Sequence, residues 1–156
     1  MPPTRNRSDG DDLGGLTDGE GRAWSAFLRG HARVTREMSD DLETGGGIPL
    51  THYDVLRQLA LAPGTRLRMA DLAERVMLSR PGLTGVVKRL ETQGLVRREP
   101  ASGDGRGLFA VLTDAGRRRL AAAHPTHVDS IRGRFVGHYS AAELSVLAEL
   151  LGRLDS

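Results

Sequence analysis

From Trp24 onward, apolar side chains recur three and four positions apart. Trp24, Phe27, Leu28, Val34, Met38 and Leu42, with His31 among them, fall on one face of a helix. Thr17 and Glu20 have the spacing of a capping box and predict its start, and Gly45 to Gly47 predict its end. After Pro49 a second helix opens at Thr51, buries Val55, Leu56 and Leu59, and stops at Ala62-Pro63-Gly64. Met69 to Val76 predicts a short helix with Leu72, Ala73 and Val76 inward. Ser79 then caps a fourth, which carries Pro81 in its first turn, turns Leu83, Val86, Val87 and Leu90 to one side, and runs through Gln93 to a stop at Gly94. There the pattern changes. LVRRE and LFAVLT are strand-like runs enclosing a tip of Pro, Ala, Ser, Gly, Asp and Arg, a hairpin signature. Thr113-Asp114 opens a long helix through Leu120, Val128, Ile131 and Phe135, in which Pro125 predicts a kink and leaves the Ala121 carbonyl without its helical partner. Ser140 and Glu143 form a second capping box ahead of Leu144, Leu147, Leu151 and Leu154.

Four helices, a hairpin and two helices predict a mainly α fold with a small β-hairpin wing (α+β). The two short helices joined through Met77-Leu78-Ser79, followed by the hairpin, make a winged helix-turn-helix. The expected boundaries are a disordered tail over 1–16, a dimerisation helix over 17–48, the winged helix-turn-helix over 49–119, and dimerisation helices over 120–156.

Charge sharpens this picture. Net charge is +2, yet residues 64–119 hold 12 Lys/Arg against 6 Asp/Glu, so the ends are acidic and the middle basic. A basic middle is a nucleic-acid footprint. The predicted fourth helix concentrates it: opposite its apolar side stand Arg80, Gly82, Thr84, Gly85, Lys88 and Arg89, and Ser79 and Pro81 of its capped first turn join them as candidate DNA contacts. That small, basic face suits entry into a major groove about 12 Å wide. The hairpin adds Arg97 and Arg98 on one strand, and Asp104 and Arg106 at the tip. Arg106 is placed to reach a minor groove, where negative potential is concentrated, with Asp104 holding its side chain or capping the turn.

The run LAERVMLSRPGLTGVVKRLETQGLV, the wing Asp104-x-Arg106 and the segment Leu112-Thr113-x-x-Gly116 resemble the MarR family of bacterial transcription regulators. The resemblance implies that the helix after Ser79, from Arg80 through Arg89, reads a major groove and that Arg106 enters a minor groove. It also implies a homodimer and, in many relatives, release from DNA by a small aromatic or anionic ligand. Trp24, His31, His52 and Tyr53 are the residues expected to touch such a ligand. Two features depart from the family pattern: glycines flank Arg106, and Arg68 stands where a small hydroxyl residue often caps the short helix.

Other chemistry finds less support. Cysteine is absent, which excludes disulfides, thiolate catalysis and cysteine-ligated zinc. His124 and His127 have a metal-like spacing but no companion cysteine, and Pro125 stands between them, so no metal is expected. Gly103-x-Gly105-x-Gly107 leads from strand to strand and lacks the helix N-terminus of a phosphate loop. No nucleophile–base pair stands out, so neither an enzyme nor a cofactor is expected. The first residues lack a signal peptide's apolar core and no run has membrane-spanning length, so a soluble cytoplasmic protein with no membrane partner is expected. The remaining alternative is a winged-helix module that binds protein without binding DNA.

Overall fold

Both capping boxes form. In the computed structural model the Thr17 N–H donates to Glu20 at 2.7 Å and the Glu20 N–H donates back to Thr17 Oγ1 at 3.4 Å. Ser140 and Glu143 exchange the same two bonds at 2.8 and 3.3 Å. These boxes start helix α1 (Asp18–Asp41) and helix α6 (Ala141–Gly152). The structure describes residues 15–76, 78–101 and 107–155. The chain divides into two units, with the boundary between Arg36 and Glu37. Within the first unit, Trp24, Phe27 and Leu28 are exposed, and the Phe27 ring lies 6.1 Å from that of Trp24 and 6.3 Å from that of His31.

The second unit begins in the last turn and a half of α1. A simple stop was expected at the three glycines; instead the helix widens into a π turn, Leu42–Gly46, and ends at Gly47 with φ +60°. The wide turn carries Leu42 fully into the core before the chain reverses. Helix α2 (Leu50–Leu61) follows, one residue earlier than expected, and buries Tyr53, Val55, Leu56 and Leu59 completely.

A short turn at Pro63–Thr65 leads into a strand that the residue pattern did not reveal, β1 (Arg66–Arg68). Only Leu67 of its three residues is buried, too little alternation to distinguish a strand from a loop. Then come α3 (Met69–Arg75) and α4 (Arg80–Thr92). Strands β2 (Val96–Pro100) and β3 (Leu108–Leu112) pair antiparallel, Val96 opposite Leu112, and β1 adds to the far side of β3, with Arg68 opposite Phe109. The wing is therefore a three-stranded sheet in the order β1-β3-β2. Leu72 of α3, Leu83 and Leu90 of α4 and Val96 of β2 close a single core with α2. Each such leucine contributes roughly 1.5–3 kcal/mol by leaving water.

The junction after β3 explains the Leu-Thr-x-x-Gly segment. The Thr113 hydroxyl donates to the Gly94 carbonyl at 2.7 Å and accepts from the Gly116 N–H at 3.0 Å, capping α5 (Asp114–Arg134). A Cβ on Gly116 would stand 2.1 Å from the Leu95 carbonyl oxygen, so no other residue fits where α5 meets the root of the hairpin. Helix α5 continues through Pro125 to Arg134; the proline does not end it.

Candidate nucleic-acid interface

Helix α4 is set up by its own ends. The Ser79 Oγ accepts the Gly82 N–H at 3.2 Å, proline occupies the first turn, and Gly94 (φ +70°) releases the chain toward β2. The burial pattern divides the helix as its periodicity predicts. Leu83, Val86, Val87 and Leu90 are buried; Arg80, Pro81, Gly82, Thr84, Lys88 and Arg89 are exposed, with Gly85 half-buried between them. Arg80 and Lys88 have no carboxylate partner among the described residues. The Thr84 hydroxyl donates to the Arg80 carbonyl at 2.9 Å and so lies along the helix. The result is a solvent-facing basic surface whose side chains rise from a rigid, packed helix.

Arg89 has a second contact. Its Nε donates to His52 Nε2 of α2 at 3.5 Å, a long bond to a ring that is only 6% exposed. Burial, and next the Arg89 charge, push the His52 pKa down, which keeps the imidazole neutral and able to accept. The neighbouring Tyr53 hydroxyl meets His124 Nδ1 of α5 at 2.8 Å, and its ring lies 4.3 Å from that of His127. His124 and His127 thus pack on an aromatic core residue. Among the described residues no group of three His, Asp or Glu could hold a metal ion. Of the four residues expected to touch a ligand, Trp24 and His31 belong to the first unit and His52 and Tyr53 to the second.

The strand arginines behave differently from those on α4. Arg98 Nε donates to Glu91 Oε2 at 2.9 Å, a terminal nitrogen of Arg98 lies 2.6 Å from the same oxygen, and the Arg98 N–H reaches Oε1 at 3.3 Å. The Arg98 bond holds the Glu91 carboxyl below the ordinary range. This cluster ties the last turn of α4 to β2. Arg97 pairs with Glu99 on its own strand. Asp104 and Arg106 lie outside the described residues; the hairpin root is closed by the Ala101 N–H donating to the Gly107 carbonyl at 2.9 Å. Arg66 and Arg68 on β1, which the residue pattern does not place among the DNA contacts, are exposed beside the same hairpin, and Arg68 makes no side-chain cap for α3.

A family model described as the MarR family matches residues 46–107. The transcriptional regulator HosA of Escherichia coli O157:H7 is 35% identical over 128 residues, which cover 82% of this chain and 87% of that protein. The chain belongs to the MarR family. Two MarR-family transcriptional regulators from Streptomyces coelicolor share its fold. AbsC superposes with a TM-score of 0.82 at 36% identity, covering 90% of this chain and 94% of its own. Sco3205, solved in complex with DNA, gives 0.83 at 33% identity, covering 90% and 88%. This MarR-family protein is thus a transcriptional regulator, and its relatives are regulators and not enzymes. No helix among its described residues is long and apolar enough to cross a membrane.

Proposed function

We propose that the protein is a sequence-specific repressor that binds a pseudo-palindromic operator as a homodimer, with α4 in the major groove and Arg106 in the adjoining minor groove. The observation that carries this reading is the division of α4: four apolar side chains lock it into the core while Arg80, Thr84, Lys88 and Arg89 project from the other side. The DNA complex of Sco3205 supports the same use of the fold. Two such helices about 34 Å apart, one DNA turn, read two half-sites. Repression follows from excluding polymerase at the bound site.

The homodimer is supported by apolar surface that the chain leaves open. Helix α6 has no buried residue, yet Val146, Leu150 and Leu151 are exposed and line or adjoin an apolar groove with Tyr139. Trp24, Phe27 and Leu28 expose a comparable stripe on α1. Apolar patches of this kind mark association surfaces. Release by a small aromatic or anionic ligand belongs to the same proposal. His52 contacts Arg89 from α2, so a ligand that displaces that ring alters how α4 is presented.

The test is to select bound fragments from genomic DNA with purified protein and to measure affinity for them. Arg106→Ala is expected to weaken operator binding by about 1–3 kcal/mol, the range for a groove contact, with the dimer intact. Unchanged affinity removes Arg106 from the reading; failure to select any fragment removes the reading itself.

A further inference from the structure

On the outer side of the wing sheet, two arginines converge on one ring. The guanidinium carbon of Arg66 lies 4.9 Å from the Phe109 centroid and that of Arg68 lies 5.4 Å from it. Both arginines are exposed, and neither has a carboxylate partner among the described residues. The antiparallel register puts Arg66, Arg68, Phe109, Arg97 and Glu99 on the same face, and the one carboxylate there among the described residues, Glu99, is already paired with Arg97. Two like charges held against one ring repel each other, and an anion bridging them relieves that repulsion. Stacking on the ring also fixes both long side chains in advance, which lowers the cost of ordering them around such an anion.

The location selects the anion. Arg68 reaches within 3.1 Å of where a Cβ on Gly107 would stand, so its guanidinium lies against the root of the hairpin. The same residue immediately precedes α3, the first helix of the helix-turn-helix. The face thus adjoins both the hairpin and the helix-turn-helix, and the anion that a duplex bound by α4 would offer there is a backbone phosphate. We propose that the Arg66–Phe109–Arg68 stack is a phosphate-gripping surface that extends each protomer's contact along the DNA backbone beyond the two grooves. This inference rests on the operator-binding reading above. It also gives Arg68 a use in place of the capping hydroxyl that the family pattern favours. Exposed charges on an edge strand can instead serve only to block strand pairing with other molecules, which is the competing explanation.

The experiment compares the wild-type protein with R66Q/R68Q and R66K/R68K on a duplex the protein itself selects, in a long form and a form with trimmed flanks. Because R66Q/R68Q leaves two phosphates per protomer without their cation, its log–log salt slope on the long duplex is expected to be shallower by about 3 to 4, at about 0.9 per phosphate. R66K/R68K, which keeps the charge, retains most of the slope, and trimming the flanks brings wild type and R66Q/R68Q together. A melting temperature within a degree or two of wild type shows that folding is not the cause. Equal slopes for wild type and R66Q/R68Q on the long duplex overturn the proposal and leave the arginines as edge guards, with operator binding still standing. A wild-type protein that selects no duplex sinks both readings together.

Discussion

At the scale of single residues, the tightest constraint is Gly116. Its hydrogen faces the Leu95 carbonyl at a separation no Cβ can occupy, because the Thr113 bonds draw the start of α5 onto the hairpin root. Gly116→Ala is therefore expected to destabilise the protein by about 2–3 kcal/mol, in the range for overpacking, as read by urea denaturation. The histidines against α2 carry a pH dependence. Burial is the first cause of the depressed pKa of both His52 and His127, followed by Arg89 for the former and by Arg57 and His124 for the latter. His127 Nδ1 is buried with no hydrogen-bond partner among the described residues. For a base whose folded pKa lies below its unfolded value, the stability is fully present above that unfolded value, about 6.5, and is lost as the pH falls through it. Thermal melts between pH 7.5 and 5.5 should show a falling midpoint. His127→Phe, which keeps a ring against Tyr53, should reduce that fall; an identical profile in the variant would exclude His127 as its source.

At the scale of elements, α4 and the wing are joined by a defined clamp. Glu91 binds Arg98 through both its guanidinium and its backbone N–H, so the angle between the helix and β2 is fixed by side chains as well as by core packing. The clamp reverses a simple expectation. Glu91→Gln removes a negative charge from the DNA-binding region, and electrostatics alone would tighten operator binding. The clamp predicts a severalfold weakening instead, with the salt slope preserved, measured by fluorescence anisotropy. Capping matters to the same helix: Ser79→Ala should cost about 1 kcal/mol of stability and fray the first turn of α4, the turn proposed to enter the groove.

The elements were legible in proportion to their length and chemistry. The capping boxes, the Ser79 and Thr113 caps and the amphipathic division of α4 are local, so residue spacing reveals them. The β1 strand is not legible in the sequence because three residues carry no periodicity and its partner lies more than forty positions away. The π turn is not legible because glycines signal an end without specifying the geometry of the last turn. The roles of Arg97 and Arg98 were open for a related reason. A basic residue on a strand looks the same in sequence whether it faces a phosphate or, as Arg98 does, a glutamate seven positions back.

At the scale of the whole molecule, the chain carries both an exposed basic helix face and exposed apolar surfaces, which the proposed homodimer would cover. Leu150→Glu on α6 places a charge on one of those surfaces while touching no part of α4. Sedimentation should show a monomer, and operator affinity should fall by more than tenfold because two half-sites are no longer held by one particle. A dimer that persists unchanged would move the interface away from α6.

If the exposed face of α4 and the wing meet DNA through their positive charge, as proposed, binding to the selected operator fragment must weaken steeply with salt. Six phosphates neutralised per dimer predict a log–log slope near −5, and more if the β1 arginines also engage. A folded protein that binds the fragment with a slope near zero, or not at all in dilute buffer, would contradict that proposal.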